Sequence, residues 1–298
     1  MRRSINSFPW KVASVQQLTG SCFIGIDVGG TKVRAIGLNS CGVAIGDLTE
    51  PTQKDILSQV SRIVNELGRG VVAGIGIGVP GAVNPTTGVV TKVPNVPSLE
   101  GVALRDVLSV RFGVPVVVEN DVITAALAEQ RMGQHEAEMI AVIAAGTGIG
   151  LGIVYRGELL RGAHGAAGEI AELPMEGGGV LEDRVSIAGL MASYRAAGGQ
   201  QQLSPLELLQ QAQVGVPAAK IATDRYTYWL AHGIRTVIAT IDPGRVVLTG
   251  GLGSAPAVHT ALHNHLDHLA DLVTVSVLGA DSPAHGATLL AQHTGEFQ

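Results

Sequence analysis

The chain has 298 residues, long for a single core, and this length predicts a two-lobed architecture. Apolar residues make up 46% and charged residues 15%, so a large core can be buried; with aromatics at 3% that core must be aliphatic, which suits sheets covered on both faces. The net charge of −5, with no basic cluster beyond Arg2-Arg3, gives a nucleic-acid partner no electrostatic support, and Cys22 and Cys41 form no CxxC pair, which excludes a redox or thiolate-metal motif and fits a reducing compartment.

In chain order, residues 1–21 are polar and aperiodic and read as a tail; no apolar run follows Arg2-Arg3, so a signal peptide is not expected. Residues 22–48 read as strand, glycine turn, second strand, Ser-Cys-Gly turn and third strand. Ile56, Leu57, Val60, Ile63, Val64 and Leu67 stand at helical spacing within 54–69. A strand with glycine at alternate positions follows at 71–79, then a short helix over 102–112 and a buried strand over 114–120. A helix is expected from Asp121 to Gly133.

The opening pattern then returns over 138–162, about 120 residues later, which predicts an internal duplication of one three-strand unit with helices. Helices are expected over 183–197, 204–213 and 217–240, a strand over 245–251, a helix over 256–270, a strand over 273–279 and a closing helix from 283. The uncharged stretches 71–91 and 139–155 are broken by glycine, the first also by Pro80, Asn84 and Pro85, and read as strands and turns rather than membrane spans. No Ser- or Pro-rich linker separates the halves, so a hinged cleft is expected. The predicted division is a small lobe over 22–118 joined by the helix 283–298, and a large lobe over 119–282.

The first glycine turn is Asp27-Val28-Gly29-Gly30-Thr31-Lys32. Glycine leaves backbone N–H groups open to a phosphate, and a carboxylate at the strand end is what hydrated magnesium needs. A bare Gly-Gly hairpin would also fit; Asp27 is what favours the phosphate reading. The turn is no Walker loop, and it is no dinucleotide fingerprint because a strand follows it. Gly146-Thr147-Gly148-Ile149-Gly150 repeats the pattern in the second half, as two lobes gripping one polyphosphate would require. Gly250 and Gly251, between a strand and a helix, let a flat ring approach the backbone and are candidates to hold adenosine.

Glu119-Asn120-Asp121 ends an apolar strand at the carboxyl edge, where open α/β sheets bind ligands. Asp121 is a candidate general base for a hydroxyl and Asn120 a candidate to fix sugar hydroxyls, with helix capping as the alternative for Asp121. Glu169, after a loop of small residues, is either a contact to paired sugar hydroxyls or a surface glutamate.

Together these motifs resemble the ROK family of repressors and sugar kinases. They run in order as DVGGTK, GVPGAVNPTTG, ENDVITAALAE, AAGTGIGLG with GAHGAAGEI, and IDPGRVVLTGGLG, over about 22–293. The resemblance implies the α/β actin-like ATPase (ribonuclease H-like) fold, with duplicated domains around a central cleft. It implies ATP-dependent phosphorylation of glucose, mannose, an N-acetylhexosamine or a related sugar, in the cytoplasm, by a homodimer with no membrane partner. By position it implies Asp121 as catalytic base, Asn95, Gly81, Asn120, Glu169 and Glu182 at the sugar, and Asp27 at magnesium through water. Gly29, Gly30, Thr31, Lys32, Gly146, Thr147, Gly148, Gly250 and Gly251 then serve ATP.

The family's zinc site is a histidine three residues after the GEI glutamate, followed by a CxCGxxGC run. Here those positions hold Glu172 and a cysteine-free segment over 175–182, so no zinc is expected. His259, His263, His265 and His268 read as a solvated helix face. A regulator would need a helix-turn-helix module of ~60–80 residues, and only about 21 residues precede the first strand. A sugar sensor without catalysis, or a transcription regulator without a helix-turn-helix, is the alternative. The sequence leaves the sugar unnamed and leaves open whether polyphosphate replaces ATP.

Overall fold

The computed structural model describes residues 20–68, 71–93, 95–163 and 165–293; the expected tail up to residue 19 and residues 294–298 of the closing helix lie outside the described residues. The chain divides into two compact units, one of residues up to Thr124 and from Pro283, the other Ala125–Ser282. The first unit therefore includes Asn120 and Asp121.

In the first unit β1 (Ser21–Val28), β2 (Lys32–Asn39) and β3 (Ala44–Pro51) form an antiparallel meander, followed by α1 (Ile56–Leu67) and β4 (Val71–Val79). A two-strand hairpin, β5 (Ala82–Val83) and β6 (Val90–Thr91), precedes α2 (Leu104–Phe112) and β7 (Val116–Asn120). β4 pairs parallel to β1 and β7 parallel to β4, giving the order β3-β2-β1-β4-β7. Helix α1 starts where the Asp55 side chain accepts from the Ser58 N–H, and its buried stripe is Ile56, Val60, Ile63, Val64 and Leu67. Each such side chain contributes about 1.5–3 kcal/mol when taken fully out of water. The stripe packs in one cluster with Ile24, Ile26, Ile75 and Ile77.

The alternate glycines of β4 have a packing cause. A Cβ at Gly76 would overlap the Ala287 carbonyl, and one at Gly74 the Ala291 carbonyl. Both belong to α9 (Ser282–Gln292), whose backbone lies almost directly on the sheet. Only glycine permits that approach.

α3 (Asp121–Met132) leads into the second unit. There β8 (Met139–Ala145), β9 (Ile149–Tyr155) and β10 (Glu158–Leu159) again form a meander, followed by α4 (Ile187–Ala196), α5 (Pro205–Gln213) and α6 (Pro217–Ile241). β11 (Arg245–Thr249), the single turn α7 (Gly250–Gly253), α8 (Pro256–Leu266) and β12 (Val273–Val275) complete it. The order β10-β9-β8-β11-β12, with β11 parallel to β8 and to β12, repeats the first sheet strand for strand, so the duplication expected from the sequence is present. Its aliphatic core includes Ile143, Leu181, Leu190, Leu230, Ile234 and Leu248. Among the described residues, no helix is long and apolar enough to cross a membrane.

Three boundaries differ by four residues from the sequence expectation. The helix expected from 183 begins at Ile187, because Ser186 caps it by accepting from the Gly189 N–H, with a 3₁₀ turn before it. The helix expected to 270 stops at Leu266, where Asp267 takes φ +51°. The strand expected to 279 stops at Val275, because Ser276 Oγ accepts from the Gly279 N–H and turns the chain.

Candidate active site

The buried strand β7 delivers Glu119, Asn120 and Asp121 to its carboxyl end, and α3 starts at once. The Asn120 Oδ1 accepts from the Val122 N–H at 2.9 Å and the Ile123 N–H at 3.2 Å, so Asn120 is the helix cap. Its Nδ2 donates to the Gly81 carbonyl at 2.7 Å, tying the loop after β4 to the start of α3. Of the asparagine's polar capacity, one amide hydrogen is left for a ligand. Asp121 is the first helical residue, half-buried, and its Oδ1 accepts from the Val122 N–H at 2.8 Å. Desolvation pushes its carboxyl up to about 6, while the backbone N–H bonds pull more weakly the other way. A carboxyl at that value gives up its proton near neutral pH and can take one from a hydroxyl.

The same sheet edge carries the first glycine turn. Asp27 in β1 pairs with Gly78 in β4, and Gly78 with Glu119 in β7, so the three parallel strands end abreast. Asp27 is buried at this edge. Beyond it the Gly29 N–H donates to the Lys32 carbonyl at 2.9 Å, and Thr52 Oγ1 donates to the Gly29 carbonyl at 2.6 Å, while Gly30, Thr31 and Lys32 are exposed. Asn95 packs on this turn, since a Cβ at Gly30 would lie 2.8 Å from the Asn95 Cβ. Gly81, at φ +87°, passes so close to the Thr91 and Lys92 carbonyls that no side chain fits there. The first unit thus brings Asp27, the 29–32 turn, Gly81, Asn95, Asn120 and Asp121 to one edge. A carboxylate beside glycine backbone that no Cβ covers fits a triphosphate with its hydrated magnesium.

In the second unit the 146–148 turn joins β8 to β9, closed by the Gly146 N–H on the Gly148 carbonyl at 2.9 Å. The β8–β11 pairing sets this turn beside Gly250 and Gly251; a Cβ at Gly146 would lie 3.6 Å from the Gly251 nitrogen. Gly250 takes φ +82° against the Ala145 carbonyl. Thr147 is exposed at the tip. Glu182 reaches the same turn: its Oε2 accepts from the Ile149 N–H at 3.1 Å. Nothing in the sequence spacing signals that contact, nor the packing of Asn95 on Gly30.

Glu169 is exposed at the start of a 3₁₀ turn, Ile170–Glu172. With Glu172, Leu151, Ile153, Leu173 and Thr240 it lines a pocket of about 390 Å³. The segment after it closes on itself through backbone bonds, Met175 N–H to the Gly179 carbonyl at 3.1 Å and Leu181 N–H to the Leu173 carbonyl at 2.9 Å. The Asp183 carboxylate holds the Val180 N–H at 2.9 Å. This hairpin offers no thiolate or imidazole, so it does not fit the sulfur and nitrogen donors of a structural zinc. Among the described residues, no group of three or more His, Cys, Asp or Glu side chains could hold a metal ion. On α8 the His259 and His263 rings stack edge to face at 4.8 Å, while His265 meets Asp224 at 3.1 Å.

Comparison with known proteins follows the same lines. The ROK family model matches residues 23–294. A glucokinase of Halalkalibacterium halodurans is 28% identical over 269 residues, spanning 78% of this chain and 81% of that one. An N-acetyl-D-glucosamine kinase of Shigella boydii is 29% identical over 283 residues, spanning 85% and 92%. The crystal structure of a ROK hexokinase from Thermus thermophilus superposes with a TM-score of 0.80 at 27% identity, covering 93% of this chain and all of that one.

Proposed function

The chain belongs to the ROK family, with the actin-like ATPase fold, and on that premise we propose that it is a sugar kinase transferring the γ-phosphoryl group of ATP to a hexose hydroxyl. The observation that carries the mechanism is Asp121, a carboxyl lifted to about 6 on the sheet edge that also holds the first glycine turn. In this reading the Asp121 carboxylate takes the proton from the acceptor hydroxyl as its oxygen bonds to the γ-phosphorus. The bond from that phosphorus to the bridging oxygen breaks, and ADP leaves with the electron pair.

Asn120 caps α3 and so fixes the direction of Asp121, while its remaining amide hydrogen donates to the sugar. Asn95 and Gly81 complete the sugar contacts of the first unit, and Glu169 is the candidate sugar contact of the second. In the first unit Thr31, Lys32 and the backbone of Gly29 and Gly30 are the phosphate contacts; in the second unit Gly146, Thr147, Gly148, Gly250 and Gly251 are the nucleotide contacts. Asp27 would hold magnesium through water, and the ion would supply charge neutralisation on the phosphates. Glucose and N-acetylglucosamine are the first sugars to try, being the substrates in the names of the relatives.

A coupled ADP-release assay over glucose, mannose, N-acetylglucosamine and N-acetylmannosamine tests this reading. ADP release that depends on at least one sugar is expected. Sugar binding with no sugar-dependent ADP release would overturn it in favour of a sensor.

A further inference from the structure

We infer that Glu182 is a positioning residue for the 146–150 phosphate turn, an inference that rests on the kinase reading above. The resemblance implies only a sugar contact for this glutamate. Its Oε2 nevertheless accepts from the Ile149 N–H at 3.1 Å, inside the turn, and the same oxygen occupies the space that a Cβ at Gly148 would need. Glycine at 148 is therefore required by the carboxylate lying over it, apart from any need to admit a phosphate.

A second anchor comes from the same stretch of chain, where the Ile187 N–H donates to the Gly146 carbonyl at 2.8 Å. The stretch between the anchors is itself firm. Leu181 and Val185 are fully buried, the Val185 N–H bonds to the Leu181 carbonyl at 2.9 Å, and Asp183 holds the Val180 N–H. Residues 182 and 187 thus grip the turn at 146, 148 and 149.

A turn with three glycines in five residues is free to reorient, and phosphate binding would have to freeze it. A charge-assisted bond to one of its amides holds the others in place beforehand. Glu182 does this at a cost, because its negative charge lies near the site of an anionic ligand. Its value to nucleotide binding is therefore geometric, which separates the acceptor atom from the charge in an experiment.

ATP affinity is measured by calorimetry without sugar, and sugar KM by ADP release, for the wild type and for Glu182→Ala, Glu182→Gln, Gly148→Ala and the Gly148→Ala/Glu182→Ala double variant. Glu182→Ala is expected to weaken ATP binding about 10-fold. Glu182→Gln keeps an acceptor and should recover most of that loss. Gly148→Ala should be harmful alone and add little in the double variant, since the colliding carboxylate is gone. Unchanged ATP affinity with a raised sugar KM in Glu182→Ala overturns the inference and leaves the kinase reading standing. Additive losses in the double variant likewise overturn it. A wild type that neither binds ATP nor turns it over overturns both.

Discussion

Asp121 carries two opposed demands. Desolvation lifts its carboxyl to about 6, so the folded chain holds that proton more tightly than the unfolded chain, where the ordinary value is 3.8. The stability this lends is fully present below the unfolded value and is lost as pH rises through 6. At pH 8 the ionised group costs at most about 2–3 kcal/mol, less to the extent that water reaches its half-exposed side. Asp121→Asn removes the charge and keeps an acceptor for the Val122 N–H, so it should melt higher than wild type at pH 8 by calorimetry, with the difference shrinking toward pH 4. The kcat/KM of the wild type should fall about tenfold per pH unit below 6 and level off above it; a plateau reaching down to pH 5 would mean that another group takes the proton. The sequence put Asp121 at the end of an apolar strand and left its capping and catalytic roles open. The cap proves to be the neighbouring Asn120, a distinction of one residue that turns on hydrogen-bond geometry.

At the scale of elements, the β7–α3 junction and the 174–183 hairpin each do with hydrogen bonds what their sequences only hint at. Asn120→Ala removes both the α3 cap and the tie to Gly81, and should lower stability by about 1 kcal/mol or somewhat more in denaturant melts. Asn120→Ser keeps a cap acceptor and loses the tie to Gly81, so it should be the milder change; equal losses would mean the cap contributes nothing. The hairpin holds itself through the Met175, Leu181 and Val180 N–H bonds. We therefore expect no stoichiometric zinc by elemental analysis and an unchanged melting temperature after chelation. About one zinc per chain that survives mild chelation would contradict this. The alternate glycines of β4 were legible as a pattern but their cause was not, because it depends on where the backbone of α9 comes to lie.

For the whole molecule, the repeated strand–glycine turn–strand pattern made the duplication legible, since a hydrophobic pattern with period two and a turn at fixed offset survives in a bare sequence. The second sheet repeats the first strand for strand, as that pattern implied. The contacts that tune each turn, Glu182 on Gly148 and Asn95 on Gly30, join residues far apart in the chain, and no local pattern encodes them. Both turns and the β7–α3 junction serve phosphoryl transfer from ATP to a sugar with Asp121 as base, in the reading proposed above. Its most direct test is sugar-dependent ADP release by wild type and Asp121→Asn side by side, with the sugar monophosphate identified by mass. The wild type should give product, and a folded, sugar-binding variant should show kcat lower by about 10²–10⁴-fold. A folded Asp121→Asn chain that makes sugar phosphate at close to the wild-type rate would contradict it.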